Sequence, residues 1–192
     1  MNRWVCVLRS AVPEDAMAVA RVHVRAWQAG YRGLLPEEYL DGLQTLERAD
    51  RYTFHLTGDG DPATTVALDR AETVCGFVTT GPCRDDESHA VGEVLALHVD
   101  PDRWGQGVGT VLIGAARARL AGAGFAEAVL WVLAGNDRAE RFYRRDGWEH
   151  DGATRGEVVW GAPVDENRYR AILIDRSRKI EDHPEFSGTD IL

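Results

Sequence analysis

Val99-Asp100-Pro101-Asp102-Arg103-Trp104-Gly105-Gln106-Gly107-Val108-Gly109-Thr110-Val111-Leu112 is the stretch on which the fold reading turns. Residues 91–99, leading into it, read as a strand, and Pro101 closes that strand. Val111, Leu112, Ala115, Ala116, Arg119 and Leu120 then carry a helical period that ends at Gly122 to Gly124. A strand feeding a glycine-rich turn that opens a helix is a place to bind phosphate. The free N–H groups of the first helical turn point outward, and the helix dipole adds partial positive charge. Glycine lets the backbone come close to an anion and take up φ > 0. Two familiar phosphate motifs fail here. A P-loop needs Gly-Lys-Ser or Gly-Lys-Thr, and Gly107-Val108-Gly109-Thr110 has no Lys. A dinucleotide G-x-G-x-x-G would need its third glycine where Thr110 or Leu112 stands.

Outward from the turn, the chain alternates strands and helices. Residues 4–8 read as a strand. Pro13, Glu14 and Asp15 open a helix, with proline and acids in its first turn. Met17, Ala20, Val24, Trp27 and Tyr31 recur on one face of it, and Gly30 and Gly33 break or bend the run. Pro36 opens a second short helix to about Leu46. Gly58 to Pro62 is a turn cluster. Residues 64–68 and 73–80 read as a hairpin, and residues 81–89 as a polar, turn-rich connection. Residues 128–133 are an apolar run of buried-strand length. Gly135-Asn136-Asp137 is a helix-capping turn before an amphipathic helix at 138–145, stopped by Gly147. Residues up to 174 hold one or two more strands. No internal repeat or linker divides residues 1–174, which are expected to form one domain. Residues 175–192 read as a polar, partly loose tail.

Two segments now carry a resemblance. Residues 99–112 look like the acyl-CoA-binding motif Q/R-x-x-G-x-G/A of the GNAT superfamily of N-acetyltransferases, with Gly107 and Gly109 at its small positions. Trp104 stands where Gln or Arg is expected. Residues 136–148 resemble the superfamily's N-x-x-A-x-x-F-Y-x-x-x-G-F segment at Asn136, Ala139, Phe142, Tyr143 and Gly147, with Trp148 replacing Phe. Residues 9–40 resemble the opening strand and paired helices of many bacterial members. The resemblance covers about residues 4–174. It implies an α+β, three-layer fold: a mixed, mostly antiparallel central sheet with helices on both faces. Splayed central strands would hold acyl-CoA.

The same resemblance implies a site. Acetyl-CoA would be the co-substrate, with no metal, and a primary amine of a small molecule, peptide or protein would be the acceptor. Trp104, Gly105, Gln106, Gly107, Val108, Gly109 and Thr110 would cradle the pyrophosphate. The backbone near Leu97, His98 and Val99 would serve the pantetheine arm and the oxyanion. Tyr143 matches the tyrosine that faces the CoA sulfur, where a phenol of pKa near 10 suits protonation of a thiolate; outside the family, core packing would explain it. Asn136 is a CoA contact, a helix N-cap, or both. Glu93 would share a strand face with residues 95, 97 and 99 and so reach the acyl site as base; an exposed carboxylate, with a water chain as base, is the alternative. His98, of opposite parity, reads as structural. Trp27, Tyr31 and Tyr39 are candidates for the acceptor wall, although Trp27 and Tyr31 also extend the buried helix face. Asp85, Asp86 and Glu87 form an acidic loop that would attract a cationic amine or merely be solvated.

Composition sets the outer bounds. The 192 residues suffice to bury a core without staples. Apolar residues make up 44% and charged residues 28%, which argues against disorder. Net charge is −9, against a nucleic-acid footprint or docking on an anionic membrane. Cys6, Cys75 and Cys83 have no CxxC spacing, so a zinc ribbon has no support and a reducing cytoplasm is expected. No stretch approaches 18 apolar residues. A homodimer is possible for the family. A non-catalytic acyl-CoA sensor on the same fold is the alternative to an enzyme, and the retained Tyr143 favours the enzyme.

Overall fold

Among the described residues, seven strands and five α-helices run in the order β1 (Val7–Ser10), α1 (Ala16–Gly30), α2 (Glu37–Asp41), α3 (Thr45–Ala49), β2 (Ala63–Leu68), β3 (Val74–Pro82), β4 (Val91–Val99), α4 (Val108–Gly122), β5 (Glu127–Leu133), α5 (Asp137–Arg145), β6 (Glu149–Val159) and β7 (Ala162–Ile172). The computed structural model describes residues 6–54, 62–84, 90–159 and 162–173. The strands form one sheet in the order β1-β2-β3-β4-β5-β7-β6. Every neighbouring pair is antiparallel except β4 and β5. Helices cover both faces. On one, Val19 and Val22 of α1 pack on Val66, Val74 and Phe77. On the other, Leu112, Ile113 and Ala116 of α4 pack on Val78, Val94, Val99, Leu130 and Val132.

Local differences from the sequence expectations have physical causes. The first strand lies at Val7–Ser10, two to three residues later than read; Trp4 lies outside the described residues. The span 36–46 divides into α2 and α3, because α2 ends at Gly42 and the chain re-enters helix only at Thr45. Of the α1 face read from the sequence, Ala20 and Val24 are buried and Met17 is exposed; Val19, Val22, His23 and Ala26 are buried as well. The helix lies between the sheet and its own connection to α2 and α3, so a broad sector is covered. In α4 the buried stripe runs Val108, Leu112, Ile113, Ala116 and Leu120. Val111 and Arg119 face outward. The helix is apolar nearly all round, so its pattern left the phase ambiguous. Gly81 and Pro82 extend β3. The turn cluster at 58–61, the acidic loop at 85–87 and the tail at 175–192 lie outside the described residues.

Two irregularities in β4 position the site. Its parallel pairing with β5 consists of Val91↔Glu127, Gly92↔Ala128 and Glu93↔Val129, and stops there. β4 continues to Val99 on β3 alone, while β5 continues to Leu133 on β7 alone. The two strands therefore splay. Against β3, the register jumps from Thr79↔Ala96 to Thr80↔Val94, leaving Leu95 as a bulge. The bulge inverts side-chain parity along β4. Val94, Leu97 and Val99 then share the α4 face, while Glu93, Ala96 and His98 share the α1 face.

Leu112 is fully buried where α4 meets the sheet. Leu112→Ala should lower unfolding free energy by about 2–5 kcal/mol. Urea denaturation checks this; a loss under ~1 kcal/mol would mean that α4 does not seal the core as described.

Candidate active site

The splay of β4 from β5 opens a cleft of about 780 Å³, a size typical of small-molecule sites. Its lining draws from both faces of the sheet, so the opening passes through the sheet. Trp27 and Tyr31 of α1, His98 and Trp131 stand on one side; Val99, Gly107, Phe142 and Tyr143 stand on the other.

At one end lies the glycine turn. Gly105 and Gly107 have φ of +73° and +90°, a left-handed conformation that glycine adopts without penalty. Gly107 caps α4, whose first intrahelical bond is Val111 N–H to Gly107 carbonyl. The amides of Val108, Gly109 and Thr110 precede that bond and lack intrahelical acceptors. Gly109 is small for another reason. A Cβ there would come within 3.3 Å of the Phe142 ring, so its size sets how closely α4 and α5 approach. Asn136 caps α5, its side chain accepting from Ala139 N–H at 3.1 Å, and it also lines the cleft.

The sequence-predicted residues within the described residues converge with three exceptions. Trp27, Tyr31, Leu97, His98, Val99, Trp104, Gly105, Gly107, Val108, Gly109, Thr110, Asn136 and Tyr143 all line the cleft. Gln106 does not; its amide turns back to the Asp102 carbonyl at 2.8 Å. Glu93 does not either. The shared-face argument for Glu93 fails at the Leu95 bulge, which puts it opposite Leu97 and Val99. Its carboxylate is buried and accepts from the Arg84 guanidinium at 2.9 Å and the Arg84 backbone N–H at 3.1 Å. Tyr39 packs edge-on to Trp27 and belongs to a separate groove between α2 and α3.

Several lining residues escaped the sequence reading. Trp131 and Glu166 face the α1 side from β5 and β7, and Glu166 pairs with Arg155 at 2.8 Å. Arg103, Arg138, Arg141 and Arg145 also line the cleft. Glu166 is its only carboxylate among the described residues. Long-range register places Glu166, and nothing local marks it. The arginines of α5 were visible as an amphipathic helix face, but not as part of the cleft.

Burial shapes the proton chemistry. Tyr143 is buried, and desolvation followed by the neighbouring Tyr31 pushes its pKa well above the ordinary phenol value. Tyr31 is pushed up to about 12 by burial and by Glu166. Both phenols keep their protons at neutral pH. Behind them, His23 accepts or donates at Nδ1 with the Tyr52 hydroxyl at 2.7 Å, and its ring lies 4.7 Å from that of His98. Trp27 Nε1–H donates to His98 Nε2 at 3.4 Å.

This geometry has counterparts. Residues 24–148 match the model of the acetyltransferase (GNAT) family. The chain belongs to the GNAT acetyltransferase family. It is an N-acetyltransferase with acetyl-CoA as acyl donor. It is 32% identical over 130 residues to YuaI of Bacillus subtilis strain 168, described as an uncharacterized N-acetyltransferase; the match covers 67% of this chain and 72% of YuaI. It is 34% identical over 150 residues to the mycothiol acetyltransferase of Actinosynnema mirum, covering 75% of this chain but only 46% of that protein. YncA of Salmonella typhimurium, solved with acetyl-CoA, superposes with a TM-score of 0.62 at 16% identity, covering 89% of this chain and 95% of YncA. Among the described residues, no helix is long and apolar enough to cross a membrane.

Burial, then His98 and the cations Arg48 and Arg51, hold His23 far below the ordinary imidazole pKa; burial and Arg48 lower His98 to about 4. The unfolded chain takes these protons from about pH 6.5. Stability is therefore undiminished above pH 6.5 and declines below it, by up to ~1.4 kcal/mol per pH unit for each ring. Asp15 and Asp69, held below the usual carboxylate range, contribute only at lower pH. Thermal melting between pH 7.5 and 4.5 should show this fall, and His98→Asn should make it shallower. An unchanged midpoint across that window contradicts the assignment.

Proposed function

We propose that the cleft transfers an acetyl group to a primary amine by direct attack on the thioester, with Tyr143 as the acid. The observation that carries this is the convergence of the β4–β5 splay, the glycine turn and Tyr143 on one opening. The amides of Val108, Gly109 and Thr110 hold the pyrophosphate. The edge of β4 at Leu97 to Val99, which has no β5 ladder, holds the pantetheine arm. The acceptor enters from the α1 face, between Trp27, Tyr31 and Glu166. It is a primary amine of a small molecule, peptide or protein; the mycothiol acetyltransferase relative agrees with the small-molecule end of that range.

Tyr143 supplies the proton that the departing thiolate needs. The amine nitrogen forms its bond to the carbonyl carbon as the C–S bond breaks, and the phenolic proton goes to sulfur. The acceptor ammonium gives one proton to solvent before it attacks, and the second proton, lost from nitrogen as the amide forms, returns the Tyr143 phenolate to a phenol. Glu93 stays outside this exchange, because Arg84 holds its carboxylate beneath the sheet. Its role is to tie the β3–β4 connection. The raised pKa of Tyr143 keeps it a donor through the whole neutral range.

Thiol release from acetyl-CoA over a panel of amines tests the reading. At least one amine should raise the rate above hydrolysis. With that amine, Tyr143→Phe should lower kcat about 10²- to 10⁴-fold and leave the KM for acetyl-CoA within a few-fold. Calorimetric binding of acetyl-CoA without turnover on any amine would favour the sensor reading. A pH–rate limb that disappears in Glu93→Gln would restore Glu93 as the base.

A further inference from the structure

We propose that Arg138, stacked on Trp104, is the cation that reads a phosphate of acetyl-CoA at the cleft mouth. This rests on the acetyl-CoA reading of the cleft. The guanidinium carbon lies 3.1 Å from the centroid of the Trp104 ring. Trp104 is itself fixed, its indole N–H donating to the Val99 carbonyl at 2.8 Å. Both residues line the cleft beside Gly105 and Gly107. The flat stack directs the guanidinium edge, with its fork of N–H donors, away from the indole face.

Arg138 is exposed, and three features leave its charge available to an incoming anion. It is the second residue of α5, where the helix dipole disfavours a cation. One face of its guanidinium is desolvated, which lowers its pKa below the ordinary arginine value. And among the described residues no carboxylate pairs with it, whereas Arg103 bonds Asp69 at 2.7 Å and Arg141 reaches Asp137 at 3.8 Å. A phosphate oxygen would answer all three at once. The stack also accounts for the tryptophan. Residue 104 carries no charge of its own, so α5 brings one across the cleft mouth and lays it over the position where a longer polar side chain would reach.

Acetyl-CoA offers a diphosphate and a 3′-phosphate, and the test separates them. Calorimetry would compare the wild-type chain, Arg138→Gln, Arg138→Lys and the double variant Trp104→Arg with Arg138→Gln, each with acetyl-CoA and with acetyl-dephospho-CoA. Arg138→Gln should weaken acetyl-CoA binding about 10- to 100-fold, with kcat held within about twofold. Arg138→Lys should fall between, since it keeps the charge but not the planar fork. The double variant should recover most of the loss, which a merely structural role would not allow. If the penalty of Arg138→Gln vanishes with acetyl-dephospho-CoA, the contact is to the 3′-phosphate; if it persists, to the diphosphate. Unchanged acetyl-CoA affinity in Arg138→Gln, or no recovery in the double variant, overturns the proposal. Failure of the wild-type chain to bind acetyl-CoA overturns the cofactor reading instead.

Discussion

Beyond the Glu93↔Val129 pair, β4 and β5 share no ladder hydrogen bonds, although both strands continue. In a buried sheet centre this would leave backbone donors and acceptors unsatisfied at considerable cost. It is tolerable only where water or a ligand supplies partners. The separation is held from outside: β3 grips β4 to Val99, and β7 grips β5 to Leu133. Their antiparallel ladders fix two diverging strands that could not hold apart alone. The cleft is therefore a property of the whole sheet, and everything that reacts in it is placed relative to that gap.

Electrostatics divides the gap into two ends. The chain as a whole carries −9, yet four arginines line the cleft against one carboxylate among the described residues. Global charge governs solubility and steering at long range; local charge governs what is held. A polyanionic donor is thus met by a positive mouth on an otherwise negative protein. The carboxylate, Glu166, lies toward the α1 side, where the amine is proposed to enter. Its own partner Arg155 keeps it from being a free anion. Glu166 shapes and polarises that wall rather than dominating it.

The fold was largely legible because its punctuation is local. The glycine turn, the Asn136 cap and the Gly147 stop are each a few residues long, and each element boundary near them fell within a residue or two. The site was legible to the extent that it uses those elements. What escaped depends on distant residues. The Leu95 bulge exists because of how β4 meets β3, and period-two counting from Val99 back to Glu93 crosses it unawares. Trp131 and Glu166 become neighbours of α1 only through the β5–β7 register. In α4 the run Leu112, Ala116 and Leu120 is the buried stripe as the period implies, but Val111 and Arg119 fall outside it, because Ala and Gly leave no clear polar face to set its edges.

The two tyrosines show how burial and position act together. Tyr143 arrives from α5 on one face of the sheet and Tyr31 from α1 on the other, and they meet electrostatically through the gap. Burial and Tyr31 disfavour ionisation of Tyr143, while burial and Glu166 disfavour that of Tyr31. A phenol held protonated is a poor base but a dependable donor. An acid beside a leaving thiolate needs that property, since a proton already lost at neutral pH could not be given. On the proposed roles of Tyr143 as acid and Tyr31 as acceptor wall, this coupling links the two. Anything that carried a negative charge past Tyr31 would meet the Glu166 carboxylate. Under the proposed entry from the α1 side, an amine meets no such opposition, and its ammonium would rest against the perpendicular rings of Trp27 and Tyr31 before it loses its proton.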